Sequence, residues 1–432
     1  MKIYNSLTQK IEEFIPKHKG QVNMYVCGPT VYDDIHIGNG RPVIFFDVLK
    51  RYLTHLGYKV TYATNITDID DKIIDKALSL NIDEKTLAET YSNAFMKVLS
   101  DLNVKIPDLI PHATNYVSDM TNFIKDLIDK GFAYQTESGV YFRVSKIKDY
   151  GVLSNQRLDG LLEGVRVELE DKENPMDFAL WKNTKIGLNF NSPWGFGRPG
   201  WHTECVVMNF ELFNDSLDIH GGGFDLKFPH HENEIAQSMA HSNHHLAKYW
   251  MHVGRLDLED DKMSKSKGNI IKVKDLLKTY DKNSYRLMLL AHHYRAPINF
   301  SYDLQNQYQK MYDKISYTLN KTLFNFYLKE EDLNKYTDTY LIEFRKLMDD
   351  DLNTPLVITL IDDMLKELNK KPKVETYNAL HEILFILGIT PKINKPTDED
   401  ILLYYSWEKD RVNKDYLSAD KKRSYLSNKG WL

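Results

Sequence analysis

Cysteine is scarce in this sequence: Cys27 and Cys205 are the only two among 432 residues. Two cysteines cannot build the disulfide framework of a small secreted fold, and in a reducing compartment we expect both to remain free thiols. Residues 1–5 are followed by charged residues rather than by the apolar core of a signal peptide, and no apolar stretch approaches the length of a membrane span. We therefore predict a cytoplasmic protein that does not enter a membrane.

An excess of one charge is also missing. The formal net charge is −5, so the chain is not a general coat for nucleic acid, and a nucleic-acid partner would have to meet a local basic surface. What the sequence does have is a hydrophobic fraction of 42% over 432 residues. That fraction excludes a disordered chain and is enough for large cores in more than one domain.

The first stretch with chemical information begins with a strand. Residues 22–26 are apolar and β-prone, and the Cys-Gly-Pro-Thr sequence at 27–30 ends them sharply. After a polar loop, Pro42 opens an apolar run over 43–56 that predicts a helix, with Gly57 as its stop signal. A strand, a glycine-containing loop and a helix place loop amides and the positive end of a helix where an anion can bind.

The loop between them carries His36, Gly38 and Asn39. The imidazole and the amide can donate hydrogen bonds to phosphate oxygens, and the glycine lets a ligand approach the backbone. Far downstream, residues 262–266 read Lys-Met-Ser-Lys-Ser. Each motif is short, and the alternatives are an ordinary turn glycine for the first and a solvated surface turn for the second.

A second strand and helix follow the first pair. Residues 58–64 alternate like a strand, and a helix is predicted over 72–80, which together open a parallel α/β sheet. Asp68, Asp70 and Asp71 lie between them. Because they lack the central glycine and final glutamate of a calcium loop, we interpret them as carboxylates at a helix N-terminus.

The pattern changes to short strand-like pieces and a charged tract over 132–194, which predicts an insertion between two halves of the sheet. The sheet is predicted to resume near Gly200 and again at 216–223, where a strand ends in three glycines. Glycines at a strand end allow close approach of a ligand to the backbone. Pro229 is predicted to open a helix that runs to about residue 241.

From about Tyr302 the pattern is helical to the end of the chain. Residues 349–355 form a helix start, with Asn353 or Thr354 as the cap and Pro355 in the first turn. The fold class predicted is therefore α/β: a parallel sheet with an insertion, followed by an α-helical bundle.

Candidate metal ligands are spread along the chain. His230 and Glu234 are four residues apart on a predicted helix, so they share a face, and this spacing suits a tetrahedral metal. Cys27 and Cys205 would complete a set of two sulfurs, one nitrogen and one oxygen, whose soft donors favour zinc. The residues alone leave two alternatives open: His231 is the ligand with His230 behind it, or one histidine of the pair is simply packed.

Five longer motifs carry a family resemblance. They are Cys-Gly-Pro-Thr-Val-Tyr-Asp at 27–33, Asn-Ile-Thr-Asp-Ile-Asp-Asp-Lys-Ile-Ile at 65–74, Arg-Pro-Gly-Trp-His-Thr-Glu-Cys at 198–205, His-Gly-Gly-Gly at 220–223 and Pro-His-His-Glu-Asn-Glu at 229–234. With the lysine motif, and with His-Ile-Gly-Asn at 36–39 where the family has His-Ile-Gly-His, they resemble the cysteinyl-tRNA synthetases, a family of class I aminoacyl-tRNA synthetases. The resemblance covers most of residues 1–300, and the helix start at 349–355 extends it further.

The resemblance implies roles for individual residues. These are, for zinc, Cys27, Cys205, His230 and Glu234; for catalysis, His36, Asn39, Lys262 and Lys265; for the nucleotide, Gly28, Thr30, Gly38, Gly222, Asp225 and again Lys265; and for the cysteine pocket, Thr67 and Trp201. Asn39 stands where the family motif has its last histidine. An amide still donates hydrogen bonds but carries no charge, so we expect its contribution to depend less on pH.

The resemblance also implies a division into domains. The predicted parts are 1–117, the first half of a Rossmann-like catalytic domain; 118–194, a connective insertion; 195–248, the second half of the catalytic domain; 249–305, a stem-contact region with the lysine motif; and 306–432, a helical domain that binds tRNA and its anticodon.

The implied activity is ATP-dependent activation of L-cysteine and its transfer to tRNA(Cys) by a monomer that holds one Zn²⁺ and uses Mg²⁺ with ATP. A rival is the cysteine ligase of mycothiol biosynthesis, which shares the adenylation core but needs no anticodon-binding region; the long helical part after residue 302 favours the synthetase. A non-catalytic tRNA- or metal-binding relative is a further alternative. The intact Lys265 and zinc positions argue against it.

Overall fold

The computed structural model describes residues 1–155, 171–258 and 270–432. The strands are, in chain order, β1 (Lys2–Asn5), β2 (Lys10–Glu13), β3 (Gln21–Val26), β4 (Lys59–Thr64), β5 (Ala133–Gln135), β6 (Gly139–Phe142), β7 (Phe178–Asn183), β8 (Gly197–Pro199), β9 (Ile219–Gly223), β10 (Tyr249–Val253), β11 (Leu256–Leu258) and β12 (Ile298–Phe300). The α-helices are α1 (Ile37–His55), α2 (Asp71–Leu80), α3 (Glu84–Asp101), α4 (Val117–Asp129), α5 (Trp201–Phe213), α6 (Glu232–Ser242), α7 (Val273–Leu276), α8 (Lys282–Leu290), α9 (Tyr302–Leu328), α10 (Thr339–Met348), α11 (Thr354–Lys370), α12 (Val374–Ile386), α13 (Asp398–Val412) and α14 (Tyr416–Asn428).

The predicted parallel sheet is present, in the strand order β10-β9-β3-β4 with all neighbours parallel. β9 and β10 are buried almost throughout, as expected for parallel strands whose two faces are covered. Helix α1 carries the chain from β3 to β4, whereas β9 joins β3 on its other side. In such a sheet ligands bind in the crevice at the carboxyl ends of the strands, where the strand order reverses.

The insertion folds as a second sheet, antiparallel in the order β5-β6-β7-β8. The sequence predicted a strand of the main sheet near Gly200, and this was wrong: Gly200 donates to the Leu180 carbonyl (2.7 Å) at the edge of the second sheet, and α5 begins at Trp201. Residues 201–213 are too long and too evenly buried for a strand, and length decides between a buried strand and a buried helix.

The chain is helical from Tyr302, as predicted. Helix α11 starts where expected, because the Asn353 side chain accepts from the Leu356 N–H and Pro355 lies in the first turn. Helices α9 to α12 share one continuous apolar core with the parallel sheet, and α13 and α14 form a smaller core in which Trp431 stacks on Phe324. Across the described residues we find no helix that combines the length and the apolar character of a membrane span.

A buried arginine of α8 joins α1 to the helical region. The fully buried Arg286 of α8 pairs with Asp47 of α1 and also donates to the carbonyls of Leu102 and Leu387, each at 3.0 Å. Leu387 follows α12. The helical region is therefore attached to α1 through Arg286.

Candidate active site and metal centre

Helix α1 begins earlier than predicted. We expected it to open at Pro42, but it begins at Ile37 with His36 as its N-cap. The His36 Nδ1 accepts from the N–H groups of Gly38 (3.1 Å) and Asn39 (3.3 Å), and the Asn39 side chain accepts from the His36 N–H (3.3 Å). This reciprocal capping, usually made by Ser or Thr with Glu or Gln, satisfies the exposed amides of the first turn. Because Nδ1 accepts, a neutral His36 carries its proton on Nε2.

The candidate groups gather at the carboxyl edge of the parallel sheet. Cys27 directly follows β3, Thr67 comes shortly after β4, and Gly222 lies at the end of β9. A Cβ atom at Gly28 would lie 1.7 Å from the Asn65 carbonyl oxygen. Only glycine allows the two strand ends to approach this closely.

The predicted metal ligands meet at this edge. One donor atom from each of Cys27, Cys205, His230 and Glu234 lies within 4.8 Å of the others. The Cys27 Sγ is 3.6 Å from the Cys205 Sγ and 3.7 Å from the Glu234 Oε1, which in turn is 2.9 Å from the His230 Nε2. Both cysteines are free thiols, as predicted.

A second group of donors overlaps with the first. Cys27 and Glu234 also lie within 4.8 Å of donor atoms of His220 and His231. The His231 Nε2 is 3.3 Å from the Cys27 Sγ, and the His220 Nε2 is 2.5 Å from the Glu234 Oε2. The two oxygens of Glu234 therefore face different histidines, and the alternative in which His231 is the ligand in place of His230 stays open.

Burial and hydrogen bonding shift the pKa values of these groups. Burial raises the pKa of the Cys27 thiol well above its usual value, whereas the hydrogen bond from Cys27 lowers the pKa of Cys205 to about 6. Burial acts to lower the pKa of His230, but Glu234 and Cys205 raise it to about 10. Burial opposes the ionisation of Glu234, yet His220 and His230 hold its pKa well below normal. A buried group of anionic, partly soft donors that draws in positive charge fits a thiophilic divalent cation.

The two predicted substrate residues flank this cluster. The Trp201 ring stacks on His230, with centroids 4.1 Å apart and planes at 21°, and keeps 36% of its surface exposed. The Thr67 hydroxyl donates to the Glu204 Oε2 at 2.8 Å. Because its hydrogen is used there, Thr67 can offer an approaching ligand only an oxygen lone pair.

The predicted nucleotide residues lie along the same edge. Thr30 forms a parallel β-bridge with Thr67, Gly38 is in the first turn of α1, and Asp225 lies in the short turn after β9. A Cβ atom at Gly222 would lie 2.9 Å from the Leu226 side chain. In a sheet with this strand order, ligands bind in the crevice at the carboxyl ends of the strands, which is where these residues are expected to act.

The predicted lysines Lys262 and Lys265 lie outside the described residues. The chain that follows them is described, and it reaches the start of α1. Lys272 forms an antiparallel bridge with His36, and its Nζ donates to Asp33 at 2.9 Å. The described chain downstream of the lysine motif is therefore anchored at Lys272, beside the capped turn.

The three aspartates after β4 have separate structural partners. Asp70 is the N-cap of α2 and accepts from the Lys72 N–H at 2.8 Å, which confirms its interpretation as a helix-start carboxylate. Asp68 accepts from the Thr114 N–H at 2.9 Å, and Asp71 forms ion pairs with basic side chains of the second sheet.

Two residues that support the cluster were missed by sequence reasoning. Glu204 is buried next to Cys205, and burial raises its pKa well above normal. His252 of β10 lies behind His231, with 2.8 Å between its Nε2 and the His231 Nδ1, and burial lowers its pKa to about 3. The only signal for Glu204 was its place in a motif, and His252 lies outside every motif.

Comparison with known proteins identifies the class first. The model of the tRNA synthetases class I (C) catalytic domain matches residues 13–310, and the DALR domain matches residues 343–389. The solved structure of Mycobacterium tuberculosis methionyl-tRNA synthetase in complex with methionyl-adenylate superposes with a TM-score of 0.66 at 15% identity, over 85% of this chain and 90% of that one. With the parallel sheet and its crevice, these matches define a class I aminoacyl-tRNA synthetase.

The family follows from closer relatives. The cysteine–tRNA ligase of Acholeplasma laidlawii is 61% identical over 433 residues, and that of Onion yellows phytoplasma is 50% identical over 439 residues. Each alignment spans 100% of both chains. The chain belongs to the cysteine–tRNA ligase family.

Proposed function

We propose that this chain activates L-cysteine with ATP, forming cysteinyl-adenylate and pyrophosphate, and then transfers the cysteinyl group to tRNA(Cys). The observation that carries the proposal is the meeting of donor atoms of Cys27, Cys205, His230 and Glu234 at the carboxyl edge of the parallel sheet, a set suited to a thiophilic metal. The loop that follows Cys27 leads to the capped start of α1, a helix N-terminus suited to phosphates. Relatives named cysteine–tRNA ligase, matched over their full length, support the same substrates.

The four donors would hold one Zn²⁺ per chain, since two thiolates, an imidazole and a carboxylate are ligands that zinc accepts. When bound, zinc supplies selective binding of the substrate thiolate, because the hydroxyl of serine stays protonated and is a poor ligand. A thousandfold preference for cysteine over serine corresponds to about 4 kcal/mol. Pocket shape alone does not supply it, since the two amino acids are nearly isosteric.

The remaining contacts to cysteine would come from Trp201 and Thr67. The partly exposed Trp201 ring stacks on His230, one of the donors, and would limit the size of an amino acid side chain bound there. Thr67 already donates its hydrogen to Glu204. Its oxygen is therefore set to accept a hydrogen bond from the substrate ammonium group.

Activation needs no general base, since the carboxylate of cysteine is already ionised near neutral pH. One of its oxygens attacks the α-phosphorus of ATP, the bond from that phosphorus to the bridging oxygen breaks, and pyrophosphate leaves with Mg²⁺. His36, through its Nε2–H, and the Asn39 amide would stabilise the phosphate oxygens at the start of α1. Lys262 and Lys265 are proposed, from their motif, to neutralise the pyrophosphate.

The nucleotide would lie along the strand ends. Gly28, Gly38 and Gly222 have no side chains, so the nucleotide could approach the backbone closely at these positions. Thr30 and Asp225 supply polar side chains on the same edge. A hydroxyl of the terminal ribose of tRNA then attacks the activated carbonyl, and AMP leaves.

The helical region is proposed to bind the tRNA, with the anticodon read towards its far end. The match to the DALR domain over residues 343–389 supports this, as does the attachment of this region to α1 through Arg286. We further propose the division into five parts predicted from the sequence. The protein would act as a monomer, since one chain supplies every candidate group. It would act in the cytoplasm, where tRNA is charged.

The test is transfer of radiolabelled cysteine to bulk bacterial tRNA in the presence of ATP. We expect acylation that is lost on removal of zinc and restored by Zn²⁺, with serine not transferred. The matched variant Cys205→Ala should lose acylation and bound zinc together. Absence of both acylation and cysteine-dependent pyrophosphate exchange would refute the proposal.

The mycothiol-type ligase would give a different result in the same assay. Cysteine-dependent pyrophosphate exchange would be present, but no tRNA would be acylated. The helical region with its DALR domain favours a tRNA acceptor.

A further inference from the structure

Arg41 is a buried guanidinium in α1, close to the capped first turn, and it is 2% exposed. In the described ranges it meets carbonyls rather than a carboxylate: its Nη1 donates to the carbonyls of Gly254 (2.7 Å) and Arg255 (2.8 Å), and its Nη2 to that of His293 (3.1 Å). Burial lowers its pKa to about 10. Packing alone does not call for such a residue, since an apolar side chain of similar volume is often as stabilising as a buried charge.

The carbonyls that hold Arg41 lie in the segments that precede the parallel strands β11 and β12, with His293 five residues before β12. Gly254 and Arg255 connect β10 to β11, and residues 259–269, which contain the lysine motif, follow β11 directly. The Gly254 N–H donates to the Tyr294 carbonyl (2.7 Å), and a Cβ atom at Gly254 would lie 2.5 Å from the Ala296 carbonyl oxygen. The segments that lead into β11 and β12 are therefore packed tightly against each other. Arg41 donates hydrogen bonds to both segments and so connects them to α1.

A second contact supports the same joint one turn further along α1. The Phe45 ring stacks on Tyr294, with centroids 4.3 Å apart and planes at 17°. The Tyr294 hydroxyl donates to the Asp351 Oδ1 at 2.8 Å, just before α11. Two points of contact a turn apart fix both the position and the rotation of α1 relative to β11–β12.

We propose that Arg41 is a positioning residue for adenylate formation. It keeps a set spacing between the phosphate-binding groups at the start of α1, His36 and Asn39, and the strand from which the chain continues to Lys262 and Lys265. Arg41 itself touches neither cysteine nor ATP. The inference rests on the proposed function of the site.

The proposal predicts a loss in turnover and not in cysteine binding. A misplacement of about 1 Å between reacting groups costs on the order of 100-fold in rate. The donors around Cys27 are held by other segments, namely β3, α5 and α6, so cysteine affinity and zinc content should not follow the turnover.

The experiment compares the full chain with Arg41→Met, Arg41→Lys and the control Lys50→Met in cysteine-dependent ATP–pyrophosphate exchange. Lys50 is a basic residue on the same helix, and its partner is Asp108 (2.9 Å). Arg41→Met should lower kcat about 30- to 100-fold, with the KM for cysteine and the zinc content within about twofold of wild type. Arg41→Lys should regain part of the rate, because an ammonium can still donate to these carbonyls, and Lys50→Met should match the wild type.

Two results would overturn the proposal. One is a folded Arg41→Met variant with kcat within about twofold of wild type; the other is a fall in kcat that is matched by loss of cysteine affinity and zinc, which would make Arg41 a general structural residue. Should Arg41→Met fail to fold, Arg41→Lys and Phe45→Leu decide: reduced kcat at unchanged KM supports the proposal, and unchanged kcat in both overturns it. Wild-type chain without cysteine-dependent exchange would instead refute the proposed function.

Discussion

Replacement of Thr67 by valine tests the polar chain behind the cysteine pocket. The Thr67 hydroxyl donates to Glu204 at 2.8 Å and accepts from the Asn65 Nδ2 at 3.1 Å, and all three side chains are buried. Valine keeps the volume but has no polar atom, so a carboxyl and an amide each lose a buried partner. Leaving a buried polar group unsatisfied costs about 1–3 kcal/mol, and for the two groups together we expect the free energy of unfolding to fall by about 2–3 kcal/mol.

The same chain connects the neighbours of the two cysteines. The Asn65 Oδ1 accepts from the Gly28 N–H at 2.7 Å, next to Cys27, while Glu204 precedes Cys205. Breaking it at Thr67 should therefore loosen the donor cluster and also remove the contact proposed between Thr67 and the substrate ammonium. A loss of about 1.4 kcal/mol in cysteine binding raises the KM for cysteine about tenfold, with a smaller effect on kcat.

The assays are urea unfolding followed by circular dichroism and cysteine-dependent pyrophosphate exchange. Thr67→Ser is the matched control, since it keeps the hydroxyl and loses one methyl group; its stability should stay within about 1 kcal/mol of wild type. If the free energy of unfolding of Thr67→Val is within about 0.5 kcal/mol of the wild-type value and the variant binds cysteine equally well, the hydrogen-bonded chain has no energetic role and the reasoning fails.

Three further predictions concern the metal, the domain contact and pH. Cys205→Ala should reduce bound zinc, measured by atomic absorption, to well below one ion per chain; full zinc would contradict its place among the ligands. Arg286→Met should lower the free energy of unfolding by about 2–4 kcal/mol, because among the described residues the buried Asp47 keeps only Arg51 as an ionic partner and the carbonyls of Leu102 and Leu387 lose this donor. Arg345→Met, which breaks an exposed pair, should cost less than about 0.5 kcal/mol; equal losses of stability in urea would contradict this prediction. The hydrogen bond to Asp68 raises the pKa of His112 above 6.5, so protonated His112 stabilises the fold below that pH and the contribution is lost as pH rises through the raised pKa. His112→Gln should therefore lower the urea midpoint more at about pH 5.5 than at about pH 8.5, and equal shifts at both would contradict it.

The sequence pattern predicted a secondary-structure element correctly where the residues that cause it are neighbours in the chain. The strand before Cys27 and the start of α11 at Asn353 and Pro355 were predicted correctly, since apolar alternation and helix capping act over a few residues. The start of α1 was missed because a histidine and an asparagine perform the capping there. The strand expected near Gly200 was wrong, since a buried strand and a buried helix can share the same apolar run.

The side-chain chemistry of the motifs predicted more of the candidate site than hydrophobic periodicity did. Two cysteines, a histidine and a glutamate were grouped as metal donors, with the soft thiolates favouring zinc, from their identities and the four-residue spacing of His230 and Glu234. The choice of His230 over His231 came only from the family resemblance. Glu204 and His252 could not be found in this way, because each acts through another side chain: Glu204 through Thr67, and His252 through His231. A residue whose partners are distant in sequence leaves no periodic signal.

The sequence by itself determined the class of fold, the donors available and the capped and helical segments, because these depend on side-chain chemistry and short-range hydrogen bonds. The tertiary structure decided which groups meet: Cys27 and Cys205 are 178 residues apart in the chain yet 3.6 Å apart in space. Their meeting follows from the order of β3 and β9 in the sheet and the packing of α5 and α6 against it. It also decided that Glu234 faces both His230 and His220, since two oxygens on one buried carboxylate can bridge groups that only packing brings together.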